Sequence, residues 1–133
     1  MTFAEIKEHV MFQTNNDADD LPDFMPHLDD YVNEGYTRLA KAWMSGSYAE
    51  ADYPPLKYDD DIPALPYWTH RALGDWATWL IYRNGNPQKQ SRGLYFRQAF
   101  EDVLAKVISE GGAAGLNEDG STKDFKHFRN IPV

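Results

Sequence analysis

The sequence predicts an all-α protein, a small four-helix bundle with a C-terminal helical hairpin. Three observations lead to this fold class. Apolar residues recur every three to four positions in four separate segments, as they do on one face of an amphipathic helix. Start and stop signals of helices separate these segments. The length of 133 residues suffices for one core, because a domain of this size buries about two-thirds of the surface of its unfolded chain.

The first two helices are predicted within residues 2–47. Thr2 and Glu5 have the spacing of a capping box, and the polar run 14–17 should end the first helix. Prolines are tolerated in a first helical turn, so the second helix should begin between Pro22 and Pro26 and end at 45–47. The predicted core faces consist of Phe3, Ile6 and Val10 in the first helix, and Phe24, Leu28, Tyr31, Val32, Gly35, Leu39, Ala42 and Trp43 in the second.

A long irregular loop, residues 47–63, should connect the second and third helices, because it has no period that would bury a face. The third helix is predicted from Pro63 to Arg83. Its core face comprises Leu65, Trp68, Ala72, Trp76, Trp79 and Leu80, and its exposed face Tyr67, Arg71, Asp75 and Thr78. The mixed flank of His70, Gly74, Ala77 and Ile81 has small residues that would let another helix or another subunit approach closely.

A tight turn at Asn84-Gly85-Asn86 should join the third and fourth helices into an antiparallel hairpin. Gly85 would supply a left-handed residue, and Asn86 followed by Pro87 gives an N-cap with proline at the first helical position. Gly111 and Gly112 should end the fourth helix. Its predicted face against the tryptophans consists of Phe96, Ala99, Phe100, Val103, Leu104 and Val107.

The predicted helical domain therefore covers residues 1–112, and residues 113–133 should form an extended arm that is flexible at its root. The arm combines aromatic and cationic residues, a composition that contact hot spots favour. It either binds a partner or is a free end or one folded back on its own domain. The residues concerned are Lys123, Phe125, Lys126, His127, Phe128 and Arg129.

The charge distribution is uneven. The chain has a formal net charge of −8, with 14 acidic and 4 basic residues in positions 1–66 (net −10) and 7 acidic and 9 basic in positions 67–133 (net +2). An acidic chain is poorly suited to gripping nucleic acid, whose affinity depends on Lys and Arg neutralising phosphates. The absence of cysteine excludes disulfides and thiolate metal sites. No apolar run approaches the roughly 20 residues that cross a bilayer, and the N-terminus does not resemble a signal peptide, so we expect synthesis in the cytosol.

No sequence motif indicates catalysis, a cofactor or a metal. Glu5 with His9, and Asp23 with His27, have the spacing at which one helix face places two ligands, but no third ligand joins either pair. We therefore expect both histidines to be exposed. The run Asp59-Asp60-Asp61 is interpreted as solvated and repelling to anions, and no nucleotide-binding or hydrolase motif occurs. The chain is not expected to be an enzyme.

From Pro54 through Val107 the chain resembles the head-tail adaptor (connector) proteins of tailed bacteriophages. The resemblance begins with a proline-rich and acidic lead-in and a helix-opening segment that is rich in aromatic residues. A short turn and a final helix follow. These segments are Pro54-Pro55, Asp59-Asp60-Asp61-Ile62-Pro63, Leu65-Pro66-Tyr67-Trp68-Thr69-His70-Arg71-Ala72-Leu73, Arg83-Asn84-Gly85-Asn86 and Phe100-Glu101-Asp102-Val103-Leu104.

The resemblance implies a structural virion protein that forms a ring, usually of twelve copies, under the portal at the head-tail interface. Such a ring extends the DNA channel, binds tail or stopper proteins, and lets DNA pass without tight binding. The family's C-terminal segment commonly reaches the portal, which implies portal contacts for Lys123, Phe125, Lys126, Phe128 and Arg129. Asp59, Asp60 and Asp61 would face the channel or the tail. The alternative is a small acidic intracellular regulator or decoy that acts by protein contact.

Overall fold

The computed structural model describes residues 1–14 and 21–114. They form five α-helices: α1 (Phe3–Gln13), the one-turn α2 (Leu21–Phe24), α3 (Leu28–Met44), α4 (His70–Arg83) and α5 (Pro87–Ala114). The described ranges contain no β-strand. The four longer helices form one bundle, so the predicted all-α fold class is confirmed.

α4 and α5 form the predicted antiparallel hairpin. Three contacts along the pair run in opposite chain directions: Gly93 against Trp79, Phe100 against Trp76, and Lys106 over Trp68. The Asn86 side chain accepts a hydrogen bond from the backbone N–H of Lys89 at 2.9 Å, which confirms the predicted N-cap. Gly85, however, does not have the predicted positive φ. A Cβ at this position would lie 2.8 Å from Cβ of Lys89, so close approach excludes a side chain there.

Three of the predicted helix boundaries are wrong. α4 begins at His70 after a 3₁₀ turn at Tyr67–Thr69, instead of at Pro63. Pro66 disfavours helical backbone at the residue before it, which delays the helix. The second predicted helix is divided by a 3₁₀ turn at Met25–His27. α5 continues past Gly111, where the missing side chain lets the helix lie directly against Trp43.

α4 lies at the centre of the bundle and contacts α1, α3 and α5. Residues 72–82 are all buried, including Asp75 and Thr78, which were predicted to be exposed. That prediction was wrong because α1 packs on the polar side of α4. Trp76 and Trp79 are buried as predicted, whereas Trp68 is only partly buried.

The ends of α1 and α3 follow their predicted signals. Thr2 and Glu5 form both hydrogen bonds of a capping box at the start of α1. α3 ends at Ser45 and Gly46, whose φ angles of 48° and 95° are left-handed. This backbone conformation stops the helix and redirects the chain into the long loop.

The loop between α3 and α4 is irregular apart from the short 3₁₀ turns Glu50–Asp52 and Tyr67–Thr69. It is attached to two helices. The Asn33 side chain accepts from the N–H of Leu56 at 2.7 Å and donates to its carbonyl at 3.0 Å. The N–H groups of Phe3 and Ala4 donate to the carbonyls of Asp61 and Asp59. The loop thereby satisfies donors that the first turn of a helix leaves without an intrahelical partner.

Candidate interaction surfaces

A groove of about 160 Å³ lies between α3 and the proline-rich part of the loop. Its walls are mainly apolar, and several of the side chains that line it are exposed. The lining residues are Tyr36, Pro54, Pro55, Leu56, Ile62 and Ala64, with Asp61 as the charged member. The Tyr36 hydroxyl accepts a hydrogen bond from the N–H of Ala64 at 2.8 Å, which fixes the distance between the two walls. We call this feature the loop groove.

The three consecutive aspartates have different environments. Asp61 accepts hydrogen bonds from the N–H groups of Lys57 and Tyr58, each at 2.8 Å, and these bonds lower its pKa below the usual value. The Asp59 carboxylate lies 3.6 Å from the ammonium of Lys7, and Asp60 is exposed. Asp61 therefore orders the turn that carries the run, Asp59 forms an exposed ion pair with Lys7, and Asp60 presents its charge to solvent.

A polar network occupies the interface between α1 and α4. The Gln13 side-chain amide donates to Asp75 at 2.7 Å and to Nε2 of His9 at 2.8 Å. Arg71 donates to the same His9 nitrogen at 3.2 Å. The Thr78 hydroxyl lies within hydrogen-bond distance of the Gln13 carbonyl oxygen. These groups satisfy one another where α1 covers α4, so we interpret the network as part of the contact between the two helices.

The prediction that His9 is exposed was wrong, because its side chain is only 14% exposed. The Gln13 amide and the Arg71 guanidinium lie within hydrogen-bond distance of its Nε2, an arrangement that suits the neutral ring with its proton on Nδ1. Burial lowers the pKa of His9, and the neighbouring Arg71 adds to this effect, while Asp75 at 3.6 Å opposes it. His27 is exposed, as predicted.

The flank of α4 formed by His70, Gly74, Ala77 and Ile81 is buried within the chain. A Cβ at Gly74 would lie 3.0 Å from the His9 ring and 3.5 Å from the carbonyl oxygen of Ile6. The helix that closely approaches Gly74 is therefore α1.

His70, the first residue of α4, is buried and held at both ring nitrogens. Its Nε2 lies 2.9 Å from the carbonyl oxygen of Leu65, to which it donates a hydrogen bond in the neutral form. Its Nδ1 lies 2.8 Å from the amino nitrogen of Met1. Burial lowers the pKa of His70. A buried imidazole held at both nitrogens links the start of α4 to the preceding loop and to the N-terminal residue.

Metal-binding side chains do not converge in the part of the chain that the structure describes. Within residues 1–14 and 21–114, no three His, Asp or Glu side chains lie close enough together to hold a metal ion. Every buried polar side-chain atom of these ranges has a hydrogen-bond partner. The polar groups of the described core are therefore engaged with one another.

The outer face of α5 carries exposed apolar side chains that the sequence reasoning did not identify. Leu94 and Tyr95 are consecutive residues in the third turn, and Ile108, which is 59% exposed, lies two heptads after Leu94. Arg97 pairs with Glu101 at 3.0 Å between them. The fourteen-residue separation of Leu94 and Ile108 is the sequence signal that could have revealed a second apolar stripe.

The predicted portal-binding residues Lys123, Phe125, Lys126, Phe128 and Arg129 lie outside the described residues. In the described ranges, no helix is long and apolar enough to cross a membrane. Comparison with protein-family models, with curated proteins and with solved structures gives no match for this chain.

Proposed function

We propose that the protein is a head-tail adaptor of a tailed bacteriophage, a structural virion component that forms a ring under the portal. The ring extends the DNA channel and links the capsid to tail or stopper proteins. The basis is the resemblance of residues 54–107 to this family. In the structure these residues form a unit of an acidic loop, the central helix α4 and the antiparallel helix α5.

The observation that most supports an assembling protein is the outer face of α5. The twenty-eight residues of α5 cover one side of the bundle, yet Leu94, Tyr95 and Ile108 point away from the core. Aromatic and large apolar side chains are enriched at subunit contacts. Because α1 already covers Gly74, we assign the contact between neighbouring copies to this face of α5.

The charge of the chain supports a conduit for DNA. Asp59 and Asp60 are exposed on the long loop, and Glu5 and Glu8 are exposed on α1. Such a surface repels phosphates, so DNA would pass without being held. The proposed contact with the portal remains the C-terminal group of Lys123, Phe125, Lys126, Phe128 and Arg129.

The test is assembly with the portal protein of the same phage. We expect the mixture to coelute on size exclusion as a larger particle, and negative-stain images to show an added ring, with twelve copies expected. Deletion of residues 121–133 should abolish docking to the portal. Leu94→Glu should weaken contacts between copies, whereas Phe12→Glu, a change at another exposed apolar residue, should leave them intact.

Two results would contradict the adaptor role. One is elution of chain and portal as separate species under conditions where the portal ring is intact. The other is identical behaviour of the full chain and the 121–133 deletion. Circular dichroism of each variant establishes that helical content is retained, so that a loss of assembly is not a loss of fold.

A second candidate function is a small acidic regulator or decoy that occupies a basic protein. The exposed carboxylates of α1, the start of α3 and the long loop favour it, including Glu8, Asp29, Asp30, Asp59 and Asp60. A net charge of −8 is small for imitating a duplex, which carries one charge per ~1.7 Å of axis. Capture of a DNA-binding protein by the chain, relieved by added DNA, would favour this candidate over the adaptor.

A further inference from the structure

The loop groove is an apolar opening on an acidic part of the surface. Its volume of about 160 Å³ is close to that of a cavity of roughly 150 Å³ that binds benzene in another protein. The groove therefore has a volume of the size that one phenyl ring requires. Pro54, Pro55 and Ile62 offer apolar surface to such a ring.

The acidic residues around the groove indicate that the aromatic ring of a ligand should have positively charged neighbours. Asp61 lines the groove, and Asp59 and Asp60 precede it on the same turn. The backbone hydrogen bonds that lower the pKa of Asp61 keep its carboxylate ionised. A ligand with an aromatic side chain next to cations would complement both the apolar walls and the acidic rim.

The chain itself contains such a segment. Residues 121–133 hold Phe125 and Phe128, and Lys126 and Arg129 follow them directly. The segment has a net charge of +2, with Lys123, Lys126 and Arg129 against Asp124, in a chain whose first half is strongly acidic. Aromatic anchors bordered by cations match the composition that the groove requires.

The distances permit docking within one chain. Gly111, near the end of α5, lies against Trp43 of α3. Tyr36 of the groove lies seven residues earlier on α3, a rise of about 10 Å along the helix. The eleven residues from Ala114 to Phe125 can span up to about 36 Å when extended. The C-terminal segment is therefore long enough to reach the groove with slack.

We infer that the loop groove binds the chain's own C-terminal segment, residues 121–133, through an aromatic side chain, Phe125 or Phe128, flanked by its cations. This contact belongs to the free protein and does not rest on the adaptor role. It makes the groove an intramolecular docking site, from which the segment must be released before it can bind another protein.

A labelled peptide of residues 121–133 tests this contact in the full-length chain. Fluorescence anisotropy should show binding to the variant Phe125→Ala/Phe128→Ala, whose own segment no longer fills the groove. Binding to the unaltered chain should be about tenfold weaker, because its own segment competes. Raising the salt concentration from about 0.05 to 0.5 M should weaken binding to the variant, since the Debye length shortens.

A matched pair of variants locates the peptide. Added to the Phe125→Ala/Phe128→Ala background, Ile62→Glu should reduce peptide affinity about tenfold, whereas Ile108→Glu on α5 should not change it. Ile62 and Ile108 are similarly exposed, at 57% and 59%, so the pair separates the groove from general apolar surface. Circular dichroism should show the same helical content in both.

Three outcomes would overturn the inference. The first is that the peptide does not bind the Phe125→Ala/Phe128→Ala chain. The second is that the peptide binds that variant and the unaltered chain with equal affinity. The third is that Ile62→Glu and Ile108→Glu reduce the peptide affinity by the same factor. Sedimentation velocity at the same concentrations should show a monomer. A dimer that dissociates on Phe125→Ala/Phe128→Ala would assign the segment to a second copy and refute docking within one chain. None of these measurements involves the portal, so their failure leaves the adaptor test intact.

Discussion

The two sides of α4 pack by different physical means. Toward α5, Trp76 meets Phe100 with ring centroids 4.7 Å apart, in a seam of aromatic side chains. Toward α1, Asp75 and Thr78 meet Gln13 in a seam of hydrogen bonds. Both sides are buried, but the side toward α1 combines these polar groups with the apolar side chain of Val10 beside Gly74.

This difference suggests that the stability of the bundle and the position of α1 along α4 depend on different sides of α4. Removing aromatic surface from water stabilises the fold in proportion to the area that is buried. A hydrogen-bonded seam contributes less net free energy but requires its partners at fixed positions, because an unpaired buried polar group is costly. We therefore expect the α5 side to determine how stable the bundle is and the α1 side to determine where α1 docks.

The largest expected effect is that of Trp76→Ala on the aromatic side. The indole contacts Phe100, and its N–H donates to Glu34 at 3.0 Å. Truncation of a buried tryptophan leaves a cavity, and we expect a loss of about 3–5 kcal/mol in the free energy of unfolding. Urea denaturation measures it. Tyr95→Ala, at an exposed aromatic of α5, should stay within about 0.5 kcal/mol. An unchanged midpoint for Trp76→Ala would contradict the core placement.

A smaller effect is expected from Gln13→Ala on the polar side. The substitution removes the hydrogen bond that Asp75 accepts from Gln13, while His9 keeps Arg71 and Thr78 keeps the Gly74 carbonyl as partners. Loss of the hydrogen bond to a buried carboxylate costs about 1–3 kcal/mol. Denaturant unfolding gives the value, and hydrogen exchange should show faster opening of α1 than of α5. Phe12→Ala, on the neighbouring and 81% exposed residue, should have almost no effect. If Gln13→Ala matched Trp76→Ala in cost, the proposed division between the two sides would be wrong.

The smallest expected effect is a pH dependence carried by the buried histidines. Burial lowers the pKa of His9 and His70 in the folded chain, while unfolded histidine titrates near its ordinary value of about 6.5. Below that pH the unfolded chain binds more protons, so stability falls with acidification. The contribution is complete above pH ~6.5 and is lost between that pH and the lowered folded pKa.

Unfolding free energies measured between about pH 7.5 and pH 5 should decrease as the pH falls, and the change per pH unit is the slope to be compared. His9→Gln should reduce it, because the titrating group between Asp75 and Arg71 is gone. His27→Gln, at an exposed side chain, is the control. A slope that is unchanged in His9→Gln would show that the polar side of α4 does not sense pH through this residue.

The polar side is also where prediction from sequence failed. Helix ends depend on a few neighbouring residues, so the local sequence was sufficient to predict them. Examples are the capping box at Thr2, the N-cap at Asn86 and the end of α3 at Ser45. Asp75 and Thr78 look like an exposed helix face to any local reading. Their burial depends on Gln13, more than sixty residues away in the chain.

The candidate surfaces divide in the same way. The acidic character of residues 59–61 and the aromatic, basic character of residues 123–129 are visible in the sequence. The loop groove is not, because it requires Tyr36 on α3 and Ile62 on the loop to face each other. The exposed stripe of α5 was missed because the prediction considered only the helix face against the tryptophans and assigned no role to Leu94, Tyr95 and Ile108.

The sequence by itself determined the helices, most of their ends, the hairpin and the aromatic core, because hydrophobic periodicity and capping act over a few residues. Tertiary structure decided that α4 is covered on all sides, that Gly111 continues a helix instead of ending it, and that Gly74 receives α1. Each of these outcomes depends on which surface another helix covers. That choice is made by long-range packing, which no window of the sequence contains.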